Sequence, residues 1–135
     1  MLIEHTYKNY DTVLICASGY NKKLLPISSC TIYDVDVPRE ISVLEDIKAA
    51  LKIRKIIKKE NPDVVYCHSS MAGAIGRIAV MGLGCKVIYN PHGWSFDMNV
   101  SSTKKLFYRY LEKILAISTD KIITISEYEK RNALK

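Results

Sequence analysis

The sequence predicts an α/β fold in which helices cover a parallel β-sheet. Strand-like and helix-like segments alternate along most of the 135 residues, as they do when crossover helices join parallel strands. Several strand-like segments are short, continuous apolar runs bounded by turn residues, which is typical of strands buried on both faces. The length and the 48% apolar fraction suit one globular domain rather than a disordered chain.

The predicted elements follow the order strand, strand, helix, strand, helix, strand, helix, strand, helix. Before them, Leu2–Asn9 has the pattern of a helix end. The predicted strands are Thr12–Ala17, Cys30–Val37, Asp63–Cys67, Val87–Tyr89 and Asp120–Ile125. The predicted helices are Val43–Glu60, Met71–Met81, Lys104–Ile117 and a final helix that Ser126 and Glu129 begin.

The first complete helix shows both a predicted start and a predicted core face. Ser42 and Glu45 have the spacing of a capping box. Apolar residues at helical spacing predict the buried stripe; they are Leu44, Ile47, Ala50, Leu51, Ile53 and Ile57. In the next helix, Gly73 and Gly76 predict a close approach to a neighbouring backbone.

Polar residues and a tryptophan follow three of the predicted strands. They are His68, Ser69 and Ser70 after the third strand, His92, Gly93 and Trp94 after the fourth, and Ser126 and Glu127 after the fifth. In a parallel sheet these strand ends share one carboxyl edge, where ligands bind, and the following helix N-termini favour anions. Several of these residues have a structural alternative: His68 bonding a backbone carbonyl, the serines capping helices, and the indole buried in the domain.

The chain is basic, with 20 lysines and arginines against 14 acids and a formal net charge of +6. This excess favours anionic partners such as phosphorylated substrates, membrane surfaces or nucleic acid. The predicted helix Lys104–Ile117 has four cations beside aromatic residues, a combination that can lie on an anionic membrane. A solvated basic face is the open alternative. No RNA-recognition motif is visible, so nucleic acid is not predicted as a partner.

The cysteines and glycines do not form a recognisable cofactor motif. No Cys-x-x-Cys pair occurs among the four cysteines, which are Cys16, Cys30, Cys67 and Cys85. We therefore expect small buried thiols in a reducing compartment and no metal. The dinucleotide fingerprint and the P-loop are likewise missing from the sequence.

Three segments, in this order and at these separations, resemble a known family. They read VPREISVLEDIKAALKIRKIIKKENPDVVYCHSSMAGAIGRIA, KVIYNPHGWSF and YRYLEKILAISTDKIITISEYEK. Together they resemble the N-terminal, acceptor-side domain of GT-B glycosyltransferases of the family-4-like group, from about Thr12 to the C-terminus. The resemblance implies a Rossmann-like parallel sheet with helices on both faces. It also implies a first strand that this sequence does not show.

The resemblance further implies roles for the residues at the strand ends. His92 would be the catalytic residue near the reacting sugar. The substrate-binding residues would be His68, Ser69, Ser70, Gly93, Trp94, Ser126 and Glu127. The implied reaction moves a sugar from a nucleotide-sugar to a glycan or lipid-linked acceptor in bacterial surface polysaccharide synthesis, with no metal and no cofactor.

The same family places its nucleotide-sugar site in a second, donor-binding domain that this sequence does not contain. We therefore expect the isolated chain to be inactive, and to need that domain in the same or a separate chain. The expected location is cytoplasmic, with peripheral contact at the inner membrane face. Two alternatives stay open: a non-enzymatic α/β ligand-binding module, and a basic protein that associates with membranes or RNA.

Overall fold

The structure is a computed structural model that describes residues 9–17, 19, 30–37 and 41–134. The predicted helix end before Asn9 lies outside these residues. The strands are β1 (Val13–Cys16), β2 (Thr31–Asp34), β3 (Val64–His68), β4 (Lys86–Asn90) and β5 (Lys121–Ile122). The helices are α1 (Val43–Glu60), α2 (Ser70–Val80), α3 (Ser102–Ala116) and α4 (Glu127–Ala133), and a 3-10 turn spans Ser95–Asp97.

The described strands are all parallel, which confirms the predicted α/β fold. β1 pairs with β2, and β4 lies between β3 and β5. The described strands nevertheless form two ladders rather than the single sheet we expected. The further first strand that the resemblance implies is not among the described strands, which begin with β1.

One apolar core joins the two ladders. Its buried centre contains Ile53 and Ile57 of α1 and Ile75 of α2, and both Ile15 of β1 and Val65 of β3 pack against it. Burial of several large aliphatic side chains in one cluster is the main stabilising contribution for a domain of this size. This core places α1 and α2 on the sheet face that carries Val65.

The two glycines of α2 bring that helix close to the sheet, where they meet the side chains of Tyr89 and Cys67 rather than the predicted neighbouring backbone. A Cβ atom at Gly73 would lie 2.9 Å from Cδ2 of Tyr89, and one at Gly76 would lie 2.9 Å from Sγ of Cys67. Real Cβ atoms are not found at such distances, so the packing requires glycine at both positions. The ring of Tyr89 fills the space that the missing side chain of Gly73 leaves.

The start of α1 differs from the prediction. Ser42 precedes the helix, but its side chain makes no capping hydrogen bond. Its backbone N–H donates to the carboxylate of Asp46 at 3.1 Å, while Glu45 pairs with Lys48 at 2.8 Å. The predicted capping box is therefore wrong, because the acid one position later reaches the serine instead.

The predicted core face of α1 is only half right. Ala50, Ile53 and Ile57 are buried as expected, but Leu44, Ile47 and Leu51 are 73%, 52% and 55% exposed. Ala49 and Ile56, which the pattern did not single out, are buried in their place. The helix carries apolar residues on two sides, and periodicity alone does not say which side faces the core.

Candidate functional site

The site begins at the turn that follows β4. His92 and Gly93 both have positive φ angles, 55° and 118°. Positive φ is uncommon for a residue with a side chain and costs free energy at His92. The side-chain oxygen of Asn90 accepts a 3.3 Å hydrogen bond from the His92 N–H, and this local bond favours the turn. The backbone after β4 therefore turns back sharply at His92.

The turn brings His92 against His68. Residue 68 is opposite Asn90 in the β3–β4 register, and Nδ1 of His68 lies 3.1 Å from Nε2 of His92. The two rings are close to parallel, at 20° with centroids 5.4 Å apart, and the Tyr66 ring lies 4.3 Å from that of His68. Three rings therefore stand in a row at the carboxyl edge of the sheet.

The histidine pair presents complementary hydrogen-bonding groups to an approaching molecule. A neutral imidazole has one N–H donor and one bare nitrogen acceptor. The nitrogens that do not take part in this contact, Nε2 of His68 and Nδ1 of His92, are the outer nitrogens of the pair. If Nε2 of His92 donates to Nδ1 of His68, the outer nitrogen of His68 is a donor and that of His92 is an acceptor. If the direction is reversed, these two roles exchange. In either tautomer the neutral pair offers one donor and one acceptor, which matches a hydroxyl group.

The environment of His68 favours its neutral form. Desolvation by its surroundings lowers the pKa of His68 below the ordinary value of 6.5, and the neighbouring His92 lowers the pKa further. Both effects disfavour a positive charge on the ring. At neutral pH, His68 is therefore an uncharged partner in the pair.

The two serines after β3 have different positions. Ser69 is exposed, has a φ of 65°, and donates its backbone N–H to the carbonyl of Asn90 at 3.0 Å. Ser70 is half-buried, and its hydroxyl donates to the carbonyl of Gly93 at 2.8 Å. Ser69 thus lies at the surface near the histidines, whereas Ser70 ties the start of α2 to the turn after β4.

Trp94 is inside the domain. Its side chain is 4% exposed, its ring stacks on Phe96 with centroids 5.2 Å apart, and its indole N–H donates to the carbonyl of Glu129 at 2.9 Å. A buried indole whose N–H is satisfied is typical of a packing role. Trp94 therefore holds α4 to the end of β4 from within.

The predicted site residues after β5 lie apart from the histidine pair. The Ser126 hydroxyl accepts a 3.1 Å hydrogen bond from the Glu129 N–H and so caps α4, while exposed Glu127 lies 3.9 Å from Lys130. Among the described residues, neither of them makes a hydrogen bond, ion pair or ring contact with His68 or His92. The structure thus brings together the residues that follow β3 and β4.

No group of three or more histidine, cysteine or acidic side chains in the described part of the chain could hold a metal. The described cysteines are free thiols. Cys67 is buried against α2, and burial raises the pKa of its thiol to about 11. It therefore stays protonated at neutral pH and behaves as a small apolar side chain.

Sequence reasoning missed four residues beside this site. Tyr66 precedes His68 by two residues, and strand alternation could have placed both rings on the same sheet face. The other three are Arg77, Tyr89 and Glu112, which form a buried polar cluster below the turn. An arginine within an otherwise small and apolar helix was the available indication, but its partner lies 35 residues away.

Comparison with known proteins places this chain in a family. Residues 7–135 match the glycosyl transferase 4-like domain. The chain belongs to this family. As a glycosyl transferase 4-like domain, it has its paired histidines at the sheet edge where open α/β folds bind ligands. The resemblance inferred from the three sequence segments is therefore confirmed.

Individual relatives agree with the family. The chain is 33% identical over 131 residues to the Escherichia coli UDP-Gal:α-D-GlcNAc-diphosphoundecaprenol α-1,3-galactosyltransferase, covering 95% of this chain and 34% of that enzyme. It is 32% identical over 90 residues to an E. coli O-antigen biosynthesis glycosyltransferase, covering 67% of this chain and 26% of that protein. The chain thus spans about a third of the length of its curated relatives, or less.

A solved structure supports the fold. The crystal structure assigned to a UDP-N-acetylglucosamine 2-epimerase of Listeria monocytogenes matches 98% of this chain and 36% of its own, with a TM-score of 0.71 and 16% identity. At this identity the match concerns the fold alone. It confirms the Rossmann-like α/β architecture expected from the sequence.

Proposed function

We propose that this chain is the acceptor-side domain of a bacterial glycosyltransferase that moves a sugar from a nucleotide-sugar to a lipid-linked glycan in surface polysaccharide synthesis. The observation that carries the proposal is the His68–His92 pair, whose outer nitrogens match a hydroxyl group. Family membership supplies the reaction class. The printed name of the galactosyltransferase relative supports the substrate classes, since it names UDP-Gal and a diphosphoundecaprenol-linked sugar.

In this proposal the histidines act on a sugar hydroxyl rather than on a metal. His92 is the catalytic residue, and its outer nitrogen contacts the transferring sugar or the acceptor. His68 keeps the shared proton between the two rings, and its lowered pKa keeps the pair from becoming doubly charged. Exposed Ser69 binds substrate at the same edge. Ser126 and Glu127 would line the cleft from its other side once substrate and the second domain are present.

The proposal requires a donor-binding domain. Transfer between two substrates needs both of them held in near-attack geometry, and the residues proposed here contact one side of the reaction. We therefore expect the chain to be inactive alone and to turn over substrate when a donor-binding domain is joined to it. That domain belongs to the same polypeptide or to a separate chain.

The test is turnover of a nucleotide-sugar by this chain joined to the donor-binding domain of a close relative. The substitution His92→Ala should lower kcat by about 100-fold, the scale of a positioned acid–base group. Exposed Asn99, in the same β4–α3 connection, provides the control variant Asn99→Ala, which should keep full activity. Unchanged turnover in His92→Ala would remove His92 from the mechanism.

We also propose that the domain binds an anionic membrane surface through α3. Five large apolar side chains on this helix and at its C-cap are more than half exposed: Leu106, Phe107, Tyr110, Ile114 and the cap residue Ile117. By helical spacing they form one stripe, with Lys113 beside it. An exposed apolar stripe flanked by lysine suits the headgroup region of an anionic bilayer. No described helix is long and apolar enough to span a membrane.

Vesicle binding tests this surface. Ile114→Ser should weaken cosedimentation with phosphatidylglycerol vesicles, and added salt should weaken binding of the unmodified chain. Ile47→Ser is the matched control, because Ile47 is similarly exposed at 52% against 56% but lies on α1. Equal loss in both variants, or equal binding to uncharged phosphatidylcholine vesicles, would contradict the proposal.

A further inference from the structure

A buried polar cluster lies directly below the turn that carries His92. Arg77 of α2 is 0% exposed, and its Nη2 atom donates to a Glu112 carboxylate oxygen at 2.8 Å. The hydroxyl of Tyr89 donates to the other oxygen of Glu112 at 3.1 Å. The Arg77 guanidinium also lies 3.7 Å from the centre of the Tyr89 ring. Tyr89 is thus held at its hydroxyl and across its face.

This cluster is costly to bury. Nη1 of Arg77 has no hydrogen-bond partner among the described residues, and an unmatched buried N–H costs free energy. Well-packed apolar side chains in place of a buried ion pair are often neutral or stabilising. Packing alone therefore does not require the ion pair. The cluster contacts Tyr89, which lies three residues before His92 in the chain.

Two contacts hold the turn, one from Ser70 of α2 and one from Tyr89 of the cluster. The Ser70 hydroxyl donates to the carbonyl of Gly93 at 2.8 Å, and the Tyr89 ring meets the Trp94 ring edge-on, with centroids 6.1 Å apart. Gly93 and Trp94 are the two residues that follow His92. The strained turn is therefore held directly after His92 by both α2 and the cluster.

We propose that Ser70 and Tyr89 are positioning residues for the histidine pair. Ser70 holds the Gly93 carbonyl, the ring of Tyr89 packs against Trp94, and the Arg77–Glu112 ion pair fixes the ring of Tyr89. Together they maintain the left-handed backbone that keeps His92 within 3.1 Å of His68. A residue in an uncommon backbone conformation persists only when its surroundings over-determine it.

The role in catalysis rests on the proposed function, whereas the role in pairing the histidines does not. A first experiment therefore follows the imidazole nitrogens of this chain by NMR through a pH titration. In Ser70→Ala and Tyr89→Phe, His92 should move away from His68. The pKa of His68 should then rise toward the ordinary histidine value, and the Nδ1–Nε2 hydrogen bond should be lost.

Three further variants distinguish positioning from general stability. Ser70→Thr keeps the hydroxyl and should restore the unmodified titration. Ser118→Ala removes a similar bond, in which a serine hydroxyl just after α3 donates to the backbone carbonyl of Leu115 at 3.0 Å. Tyr108→Phe removes a hydroxyl from a half-buried tyrosine that packs against the same apolar cluster as Tyr89. Both should leave the histidine titration unchanged.

A folded Ser70→Ala chain with the unmodified histidine titration and nitrogen shifts would overturn the proposal, even if Tyr89→Phe does not fold. A second experiment uses the chain joined to a donor-binding domain. There, Ser70→Ala should lower kcat without raising KM, and Ser70→Thr should restore kcat. If His92→Ala leaves turnover unchanged, the proposed function fails, but the NMR result still decides the positioning role.

Discussion

Nδ1 of His68 lies 3.1 Å from Nε2 of His92, although 24 residues separate them in the sequence. Parallel pairing of β3 with β4 brings the strand ends together, and the turn at His92 closes the remaining distance. The contact makes the two imidazoles one hydrogen-bonded unit. The fold disfavours a positive charge on His68 in this unit, and the first prediction concerns the effect of that charge on stability.

The stability of the folded chain should depend on pH through His68. Its pKa is lowered in the folded state, so the unfolded chain binds a proton first as the pH falls. The free energy of unfolding should therefore decrease as the pH falls below about 6.5, and the decrease should stop once the folded state is also protonated. Urea unfolding between pH 5 and 8 measures this dependence, with pH values set on either side of the ordinary histidine pKa.

The variant His68→Gln gives the control for this measurement. It keeps a polar side chain at the position but cannot take up a proton in this range. Its unfolding free energy should change less between pH 5 and 7 than that of the unmodified chain. An identical pH dependence in both chains would assign the effect to another group.

Gly73 should not tolerate a side chain. A Cβ atom there would overlap the Tyr89 ring, and overpacking of a core typically costs about 1–3 kcal/mol. We expect Gly73→Ala to lower the free energy of unfolding by this amount in chemical denaturation. Gly84→Ala is the matched control, because nothing lies within 4 Å of its added Cβ. Similar losses in both variants would show that the close helix–sheet contact is not the cause.

Removing one partner of the Arg77–Glu112 ion pair should lower the free energy of unfolding more than removing both partners. Glu112→Leu leaves the guanidinium of Arg77 buried without its charged partner, which typically costs about 3–5 kcal/mol. The double variant Arg77→Met/Glu112→Leu removes both charges and should be more stable than Glu112→Leu alone. Denaturant unfolding of the single and double variants measures the difference. A double variant no more stable than Glu112→Leu would contradict a desolvated pair at this site.

The two apolar sides of α1 should respond differently to truncation. Ile53 is 6% exposed, and Ile53→Ala should cost about 2–5 kcal/mol of unfolding free energy because it leaves a core cavity. Leu51 is 55% exposed, and Leu51→Ala should change stability by about 0.5 kcal/mol or less. Thermal or urea unfolding compares them. A large loss of unfolding free energy in Leu51→Ala would show that Leu51 packs in the core, as the sequence pattern predicts.

Much of the fold was predictable because its determinants are local. Short apolar runs between turn residues indicated the strands, and the polar residues that follow three of these runs indicated the strand ends. Ser126 was predictable as a helix cap, since a cap bonds an N–H three residues away. Two predictions were wrong, the capping box of Ser42 with Glu45 and the buried stripe of α1. In both, the sequence pattern fits neighbouring positions about equally well, so it does not say which of them makes the contact.

The sequence by itself determined the order and type of the elements, the polar residues at the strand ends, and the family resemblance. Each of these depends on residues that are close in the chain or on motifs in a fixed order. Only the tertiary structure decided that His92 contacts His68, that Trp94 is inside, and that Arg77 meets Glu112 under the turn. Those contacts join residues 24 to 35 positions apart. They form only when strands and helices pack against one another, and local periodicity does not encode distances across the core.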